Sequence, residues 1–250
     1  MLKNLTKALM ILLLTIFIIP IVHVEAKTDT MTVNNQQELK DALANDEIST
    51  IILGQDIETT EKINIMRPVT IDGNHKTIRY TGTFGSSQSS DNTVWGGIYV
   101  LQVYKTSATI RNIKLTGGNA ALLVNGSTVK LEGTIDVSGN GFGGIELGKG
   151  SNVTEESRLV LDDNTTIINT TESSDKPSIW VPDDADNAVI EKDGIEQKLP
   201  AGEELSMDEV QDLFQVQDNP STSDPILSYA ILGIFGFTGI VYTYRKLLQA

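Results

Sequence analysis

The chain contains no cysteine. That excludes a disulfide framework and a thiolate metal site, so burial and hydrogen bonding must hold the fold together. Histidine is nearly missing as well: of two, His23 lies in an N-terminal apolar segment, which leaves His75. Basic charge is also short. Lys and Arg number 19 against 33 Asp and Glu, a net charge of −14. Nucleic acids and anionic lipid surfaces need basic protein surface, so both are excluded as partners. Aromatic residues make up only 6% of the chain. Long helical periodicity is missing through its middle, where Thr, Ser, Asn, Asp and Gly abound instead.

What is present is a repeat. From Ser107 to Gly150 short β-rich runs alternate with turns. Ile110, Ile113 and Leu115 lead to Gly117-Gly118-Asn119; Val129, Leu131, Ile135 and Val137 lead to Ser138-Gly139-Asn140. After each Asn a new run begins, Leu122-Leu123-Val124 and then Ile145-Glu146-Leu147. Asn119 and Asn140 are 21 residues apart, and Leu122 and Ile145 are 23 apart. A period of this size, made of short strands with no helix between them, marks a solenoid that stacks parallel strands over a continuous apolar column. Gly supplies positive φ at a tight corner and Asn tolerates it. The two Asn residues are therefore expected at equivalent corners, with side chains bonding from one repeat to the next.

Met1 to Ala26 reads as a signal peptide: Lys3 and Lys7, an apolar run from Ala8 to Val22, then Val24-Glu25-Ala26 as a cleavage site. The spacing predicts a strand at Met31-Thr32-Val33. A short helix capped by Asn35, with Glu38 three residues on, then presents Leu39, Ala42 and Leu43 on one face. Such a helix would cover the open end of a solenoid. Further runs follow at Ile51-Ile52-Leu53, Ile57, Ile63, Ile65, Val69 and Ile71, with Pro68 at a corner and a turn expected at Asp72-Gly73-Asn74. Residues 81–97 form a polar, Gly/Ser-rich loop containing Trp95.

The succession VNNQQELKDAL, STIILGQDI and KINIMRPVTIDGNHKTI resembles the opening of right-handed parallel β-helix proteins of the pectate-lyase-like superfamily. More closely, it is similar to the pectate-lyase-like adhesive domains of Gram-positive surface proteins, roughly from Thr32 to Ile195. The resemblance implies an all-β fold, a right-handed parallel β-helix with a short N-terminal capping helix.

Beyond residue 150 the runs are less regular: Leu159-Val160-Leu161, Ile167-Ile168, Ile179-Trp180-Val181, and Val189-Ile190 as the last strand before a turn at Asp193-Gly194. Ser206 and Glu209 have capping-box spacing ahead of Val210, Leu213 and Phe214, which predicts a second short helix at the far end. Pro225 to Tyr244 is an uncharged run of 20 residues followed by Arg245 and Lys246. It is long enough for a transmembrane helix with its basic end inside. The expected division is 1–26 signal peptide, 27–198 β-helix, 199–224 short helix and linker, 225–244 membrane span and 245–250 cytoplasmic tail.

Directly before the apolar run stand Asn219, Pro220, Ser221, Thr222 and Ser223. Pro at the second position, Thr at the fourth, then an apolar span and a basic tail resemble a sortase sorting signal. The resemblance implies cleavage between Thr222 and Ser223 and linkage to peptidoglycan, with sortase and the wall as partners. Ser223 departs from the usual Gly after Thr, and an uncut single-pass membrane protein is the alternative.

The fold raises the question of polysaccharide cleavage. Lyases of the superfamily use clustered acidic calcium ligands and a basic residue, and hydrolases use spaced carboxylate pairs. Here His75 follows a turn, where a solvated role is the ordinary one. Arg67, Arg79, Arg111 and Arg158 are scattered, and Asp162 and Asp163 are adjacent in a turn, where their side chains point apart. No catalytic signature emerges, no metal site or cofactor is implied, and fold alone does not license an activity. The expectation is an exported cell-surface protein with a structural or adhesive role. Trp95, Arg111 and Lys130 are its candidate contacts with a glycan or host-surface ligand. The alternatives are a polysaccharide lyase or glycoside hydrolase, and an envelope component without an external ligand.

Overall fold

A computed structural model of the chain describes residues 29–82, 98–148 and 153–215. The signal peptide, Trp95, the Asn219–Ser223 motif and the apolar run 225–244 lie outside the described residues. Among the described residues no helix is long and apolar enough to cross a membrane.

The fold is mostly β, with strands in two sheets. One sheet runs β1 (Asp29–Val33), β2 (Ile48–Leu53), β5 (Val69–Tyr80), β7 (Ser107–Thr116), β9 (Thr128–Asp136), β11 (Ser157–Leu161), β14 (Ala188–Lys192) and β15 (Ile195–Leu199). Two short strands join it at the side, β3 (Ile57–Thr59) on β5 and β12 (Thr166–Ile168) on β9. The second sheet runs β4 (Ile63–Ile65), β6 (Tyr99–Tyr104), β8 (Ala120–Asn125), β10 (Gly143–Gly148), β13 (Ile179–Trp180) and β16 (Glu204–Leu205). Between Ile63 and Leu161 the chain alternates between the sheets, and each strand pairs in parallel with its predecessor in the same sheet.

The registers explain the apolar spacing. Ile51, Ile71, Ile110, Leu131 and Leu161 are successive partners in the first sheet. Ile63, Leu101, Leu122, Ile145 and Ile179 are successive partners in the second. All but Leu161 are at most 1% exposed. Each β-branched or Leu side chain thus covers the next along an unbroken column, while the intervening positions face outward.

The turn expected at Asp72-Gly73-Asn74 is instead a bend inside one long strand. Asn74 and His75 take φ of 48° and 59°, and β5 resumes its pairing with β7 at Lys76. β7 bends at Asn112 (φ 48°) and β9 at Gly133 (φ 65°). A Cβ on Gly73 would lie 2.4 Å from the Asn112 carbonyl, and one on Gly133 would lie 2.2 Å from Asn112 Oδ1. Glycine on both neighbouring strands lets the bends nest, so the strand continues around the corner.

At the asparagine corners glycine supplies the positive φ, as expected, while the Asn140 side chain bonds backbone and not another side chain. Positive φ falls on Gly117 (85°) and Gly139 (80°) rather than on the Asn residues. The Asn140 side chain is buried and bonds backbone: it accepts from Gly118 N at 2.9 Å and donates to Leu115 O at 3.0 Å and Val137 O at 2.8 Å. It ties one turn to the backbone of the turn before it. Each such bond adds about 1 kcal/mol, and each buried group left orphaned would cost about 1–3 kcal/mol.

A helix packs on the core near either end of the described chain. Helix α1 (Gln36–Ala44) has a reciprocal cap: Glu38 N donates to Asn35 Oδ1 at 2.9 Å, and Asn34 N donates to Glu38 Oε2 at 2.7 Å. Leu39 and Ala42 enter the core, and Arg67 donates to the last carbonyls of the helix, Ala42 and Leu43, at 2.7 and 2.8 Å. At the other end the structure adds strands beyond Val189-Ile190. Asp193 (φ 53°) and Gly194 (φ 77°) form a tight two-residue turn that folds β15 antiparallel onto β14. β16 pairs antiparallel with β13. Helix α2 (Met207–Gln215) follows, its cap made by Ser206 and Glu209 at 2.8 Å, and buries Val210 and Phe214 over the core.

Candidate functional site

The outward face of the first sheet carries two columns that alternate with the buried one. Thr30, Thr50, Thr70, Thr109 and Lys130 are register partners on β1, β2, β5, β7 and β9. Two residues further along each strand stand Thr32, Ile52, Asp72, Arg111 and Glu132. Parallel pairing brings one side chain from each strand into a row about 4.8 Å from the next. The threonine row is therefore a regular comb of hydroxyls.

Where β2, β5, β7 and β9 begin, this face opens into a cleft of about 360 Å3. Thr70, Ser107, Thr109 and Thr128 contribute hydroxyls to its lining, Ser49, Pro68, Val69 and Ala108 complete it, and Lys130 supplies the charge. The Ser49 hydroxyl is buried and has no hydrogen-bond partner. The cleft can therefore accept and donate many neutral hydrogen bonds over an apolar floor.

Arg111 and Lys130 are both on this face, on adjacent strands. Arg111 pairs with Asp72 at 3.0 Å and lies 3.9 Å from Glu132. Lys130 Nζ lies 2.6 Å from Glu132 Oε1. The hydrogen bond and charge of Glu132 raise the Lys130 pKa. Two cations and two carboxylates alternate, so the flank is close to neutral. Half-exposed pairs of this kind each contribute about 0–1 kcal/mol to stability.

The other residues singled out in the sequence separate. His75 occupies the bend in β5 and is exposed. Arg79 is in register with Glu58 and Thr116. Arg158 gathers Glu156, Glu191 and Glu196, each at 2.6 Å, where β11 meets the terminal hairpin. Asp162 accepts from Asn164 N and Thr165 Oγ1, both at 2.9 Å, which closes a local turn. Asp163 faces Asp193 across that end instead and raises its carboxyl pKa.

Sequence reasoning missed a second group, on the outward face of the six-stranded sheet. Tyr99 donates from its hydroxyl to Glu146 Oε2 at 2.7 Å, and Leu123 and Trp180 are the register partners of Glu146 on either side. Burial pushes the Glu146 pKa up to about 7; the like charge of Asp184 adds to the rise and the Tyr99 bond opposes it. Burial together with the Glu146 charge raises the Tyr99 pKa. One signal was available: the 23-residue spacing that aligns Leu122 with Ile145 also aligns Leu123 with Glu146. That alignment sets an acid beside a leucine on the neighbouring strand.

The described fold is mostly β, its strands paired mainly in parallel, with a hydroxyl-lined flank and charges paired among themselves. The model of the pectate lyase-like adhesive domain family matches residues 30–166, and the chain belongs to that family. The match begins at β1 and ends at the start of β12, so it includes every strand that lines the cleft. No curated protein and no solved structure matches the chain significantly.

Proposed function

We propose that this protein is an adhesion protein of the cell surface, without catalysis. Its strands form one right-handed parallel β-helix, and its threonine flank and cleft hold a neutral, hydroxyl-rich glycan. The observation that carries this reading is the threonine row of a chain that belongs to an adhesive-domain family. The internal pairing of Arg111 and Lys130 favours a neutral sugar over an acidic one, because an acidic ligand would have to displace Asp72 or Glu132.

The test is retention of the exported chain on a panel of neutral and acidic glycans. Thr70→Val with Thr109→Val keeps the β-branched shape and removes two hydroxyls from the cleft. It is expected to weaken binding of a neutral glycan about tenfold, the value of one or two net hydrogen bonds. Unchanged binding would place the ligand elsewhere, and turnover of any glycan by the wild-type chain would overturn the non-catalytic reading.

The anchoring part of the proposal rests on sequence. An exported chain with the Asn219–Thr222 motif, an apolar run and a basic tail would be joined to the wall through Thr222. Mass spectrometry of the C-terminal peptide from wall and membrane fractions tests it. A wall-bound peptide ending at Thr222 is expected, whereas an intact C-terminus at Ala250 in the membrane fraction would mean that Ser223 blocks the cut.

A further inference from the structure

The group around Glu146 lies on a different sheet from the cleft, and adhesion through the threonine flank makes no use of it. Its construction is specific. Tyr99, Ala120 and Gly143 are register partners on β6, β8 and β10. Ala120 and Gly143 are small and leave room for the Tyr99 phenol, whose hydroxyl reaches Glu146. A Cβ on Gly143 would come within 3.1 Å of Trp180 Cζ3, so the indole lies directly against that glycine. Tyr99, Ala120 and Leu123 are buried, and Trp180 packs on them. Glu146 and Trp180 themselves are half-buried, and Phe142, next to Gly143, is 51% exposed. A partly exposed carboxyl group thus stands between Leu123 and Trp180, hydrogen-bonded by the Tyr99 phenol.

Its charge environment is one-sided. Among the described residues the groups that act on Glu146 are Asp184, of like sign, and the Tyr99 hydroxyl, which donates to it. Burial without a counter-charge disfavours the carboxylate, and the whole chain carries a further excess of negative charge. A bound cation would offset that cost. Calcium takes six to eight oxygen ligands and magnesium holds its water tightly, so one carboxylate in an apolar wall suits neither. An organic ammonium ion is satisfied by a single carboxylate together with the faces of aromatic rings.

We propose that Glu146 and Trp180 form a binding site for an organic ammonium group, with Tyr99 positioning the carboxyl. A primary amine and a quaternary amine share this chemistry, and the experiment separates them. Trp180 is one of two tryptophans in the chain, so Trp95→Phe in the full exported chain makes its fluorescence the sole reporter. That protein is titrated with choline chloride, butylammonium chloride and the uncharged choline analogue 3,3-dimethyl-1-butanol at constant ionic strength.

A saturable change with one or both cations, and none with the neutral alcohol, is expected. The tighter of the two cations identifies the amine class. Glu146→Gln is expected to weaken cation binding at least about tenfold, since it removes the charge and keeps the shape. A measurement without a variant guards against misfolding: wild-type affinity should rise between about pH 6 and pH 8 as the carboxyl ionises. Equal responses to the alcohol and the cations, no saturation by either cation, or an affinity indifferent to pH and to Glu146→Gln would each overturn the proposal.

Discussion

Leu122→Ala is expected to destabilise the protein by about 3–4 kcal/mol, within the range found when a buried leucine is truncated in a rigid core. Leu122 is fully buried and stands third in the column Ile63, Leu101, Leu122, Ile145, Ile179. The cost should lie toward the upper part of the range for a geometric reason. The strands on either side are fixed by ladder hydrogen bonds to β8, so they cannot close in on the space that the missing methyl groups leave. Met66→Ala is the control. Met66 is 67% exposed, and its truncation should change stability by less than about 0.5 kcal/mol. Urea denaturation of both variants checks this, read as a shift in midpoint at constant slope. A Leu122→Ala cost under about 1 kcal/mol would mean that the column is not tightly packed.

Stability should also fall as pH rises from about 4.5 to about 7, through Glu146. The ordinary value of its carboxyl is 4.5, and burial lifts it to about 7 in the folded protein. Between those values the folded state keeps a proton that the unfolded state releases, so rising pH favours unfolding. The rise corresponds to at most about 3 kcal/mol above pH 7, and solvent at the open side of Glu146 makes the real figure smaller, about 1–2 kcal/mol. Glu146→Gln keeps an acceptor for the Tyr99 hydroxyl and removes the titration. It should match the wild type near pH 4 and exceed it by about 1–2 kcal/mol at pH 8. Other carboxylates work in the opposite direction. The Lys40 hydrogen bond lowers Glu61 and the Arg158 bond lowers Glu196, so their contributions are lost on acidification. They are common to both proteins and cancel in the difference. Thermal melts of the pair across that range provide the measurement, and pH profiles that run parallel would refute the assignment of the shift to Glu146.

The two faces of the fold divide the possible roles by chemistry. The first sheet presents hydroxyls and mutually neutralised charges in a regular row, which suits many weak contacts along an extended ligand. The second presents one carboxyl bonded by Tyr99 beside Trp180, which is where an organic ammonium group is proposed to bind. The columns beneath both faces are the same kind of packed aliphatic core. The difference lies in the outward positions, which the core does not constrain.

The sequence by itself determined the features whose physics is local. Apolar residues about 21 residues apart fixed the buried column through Ile110 and Leu131, because each inward position must meet another across one strand spacing. The caps at Asn35 with Glu38 and Ser206 with Glu209, and the turn at Asp193-Gly194, were equally legible, since their partners lie within a few residues. Tertiary structure alone decided the rest. Asp72-Gly73-Asn74 looks like the end of a strand. It becomes a bend because Gly73 nests against Asn112, 39 residues away, and the sheet continues on the far side. Asn140 finds its partners in the backbone of the preceding turn, where a side-chain ladder had been the simpler expectation. Arg111 meets Asp72, and Glu146 meets Tyr99 and Trp180, only through register between strands 30 or more residues apart. Register is set by the packing of the whole column, so no local stretch of sequence contains it.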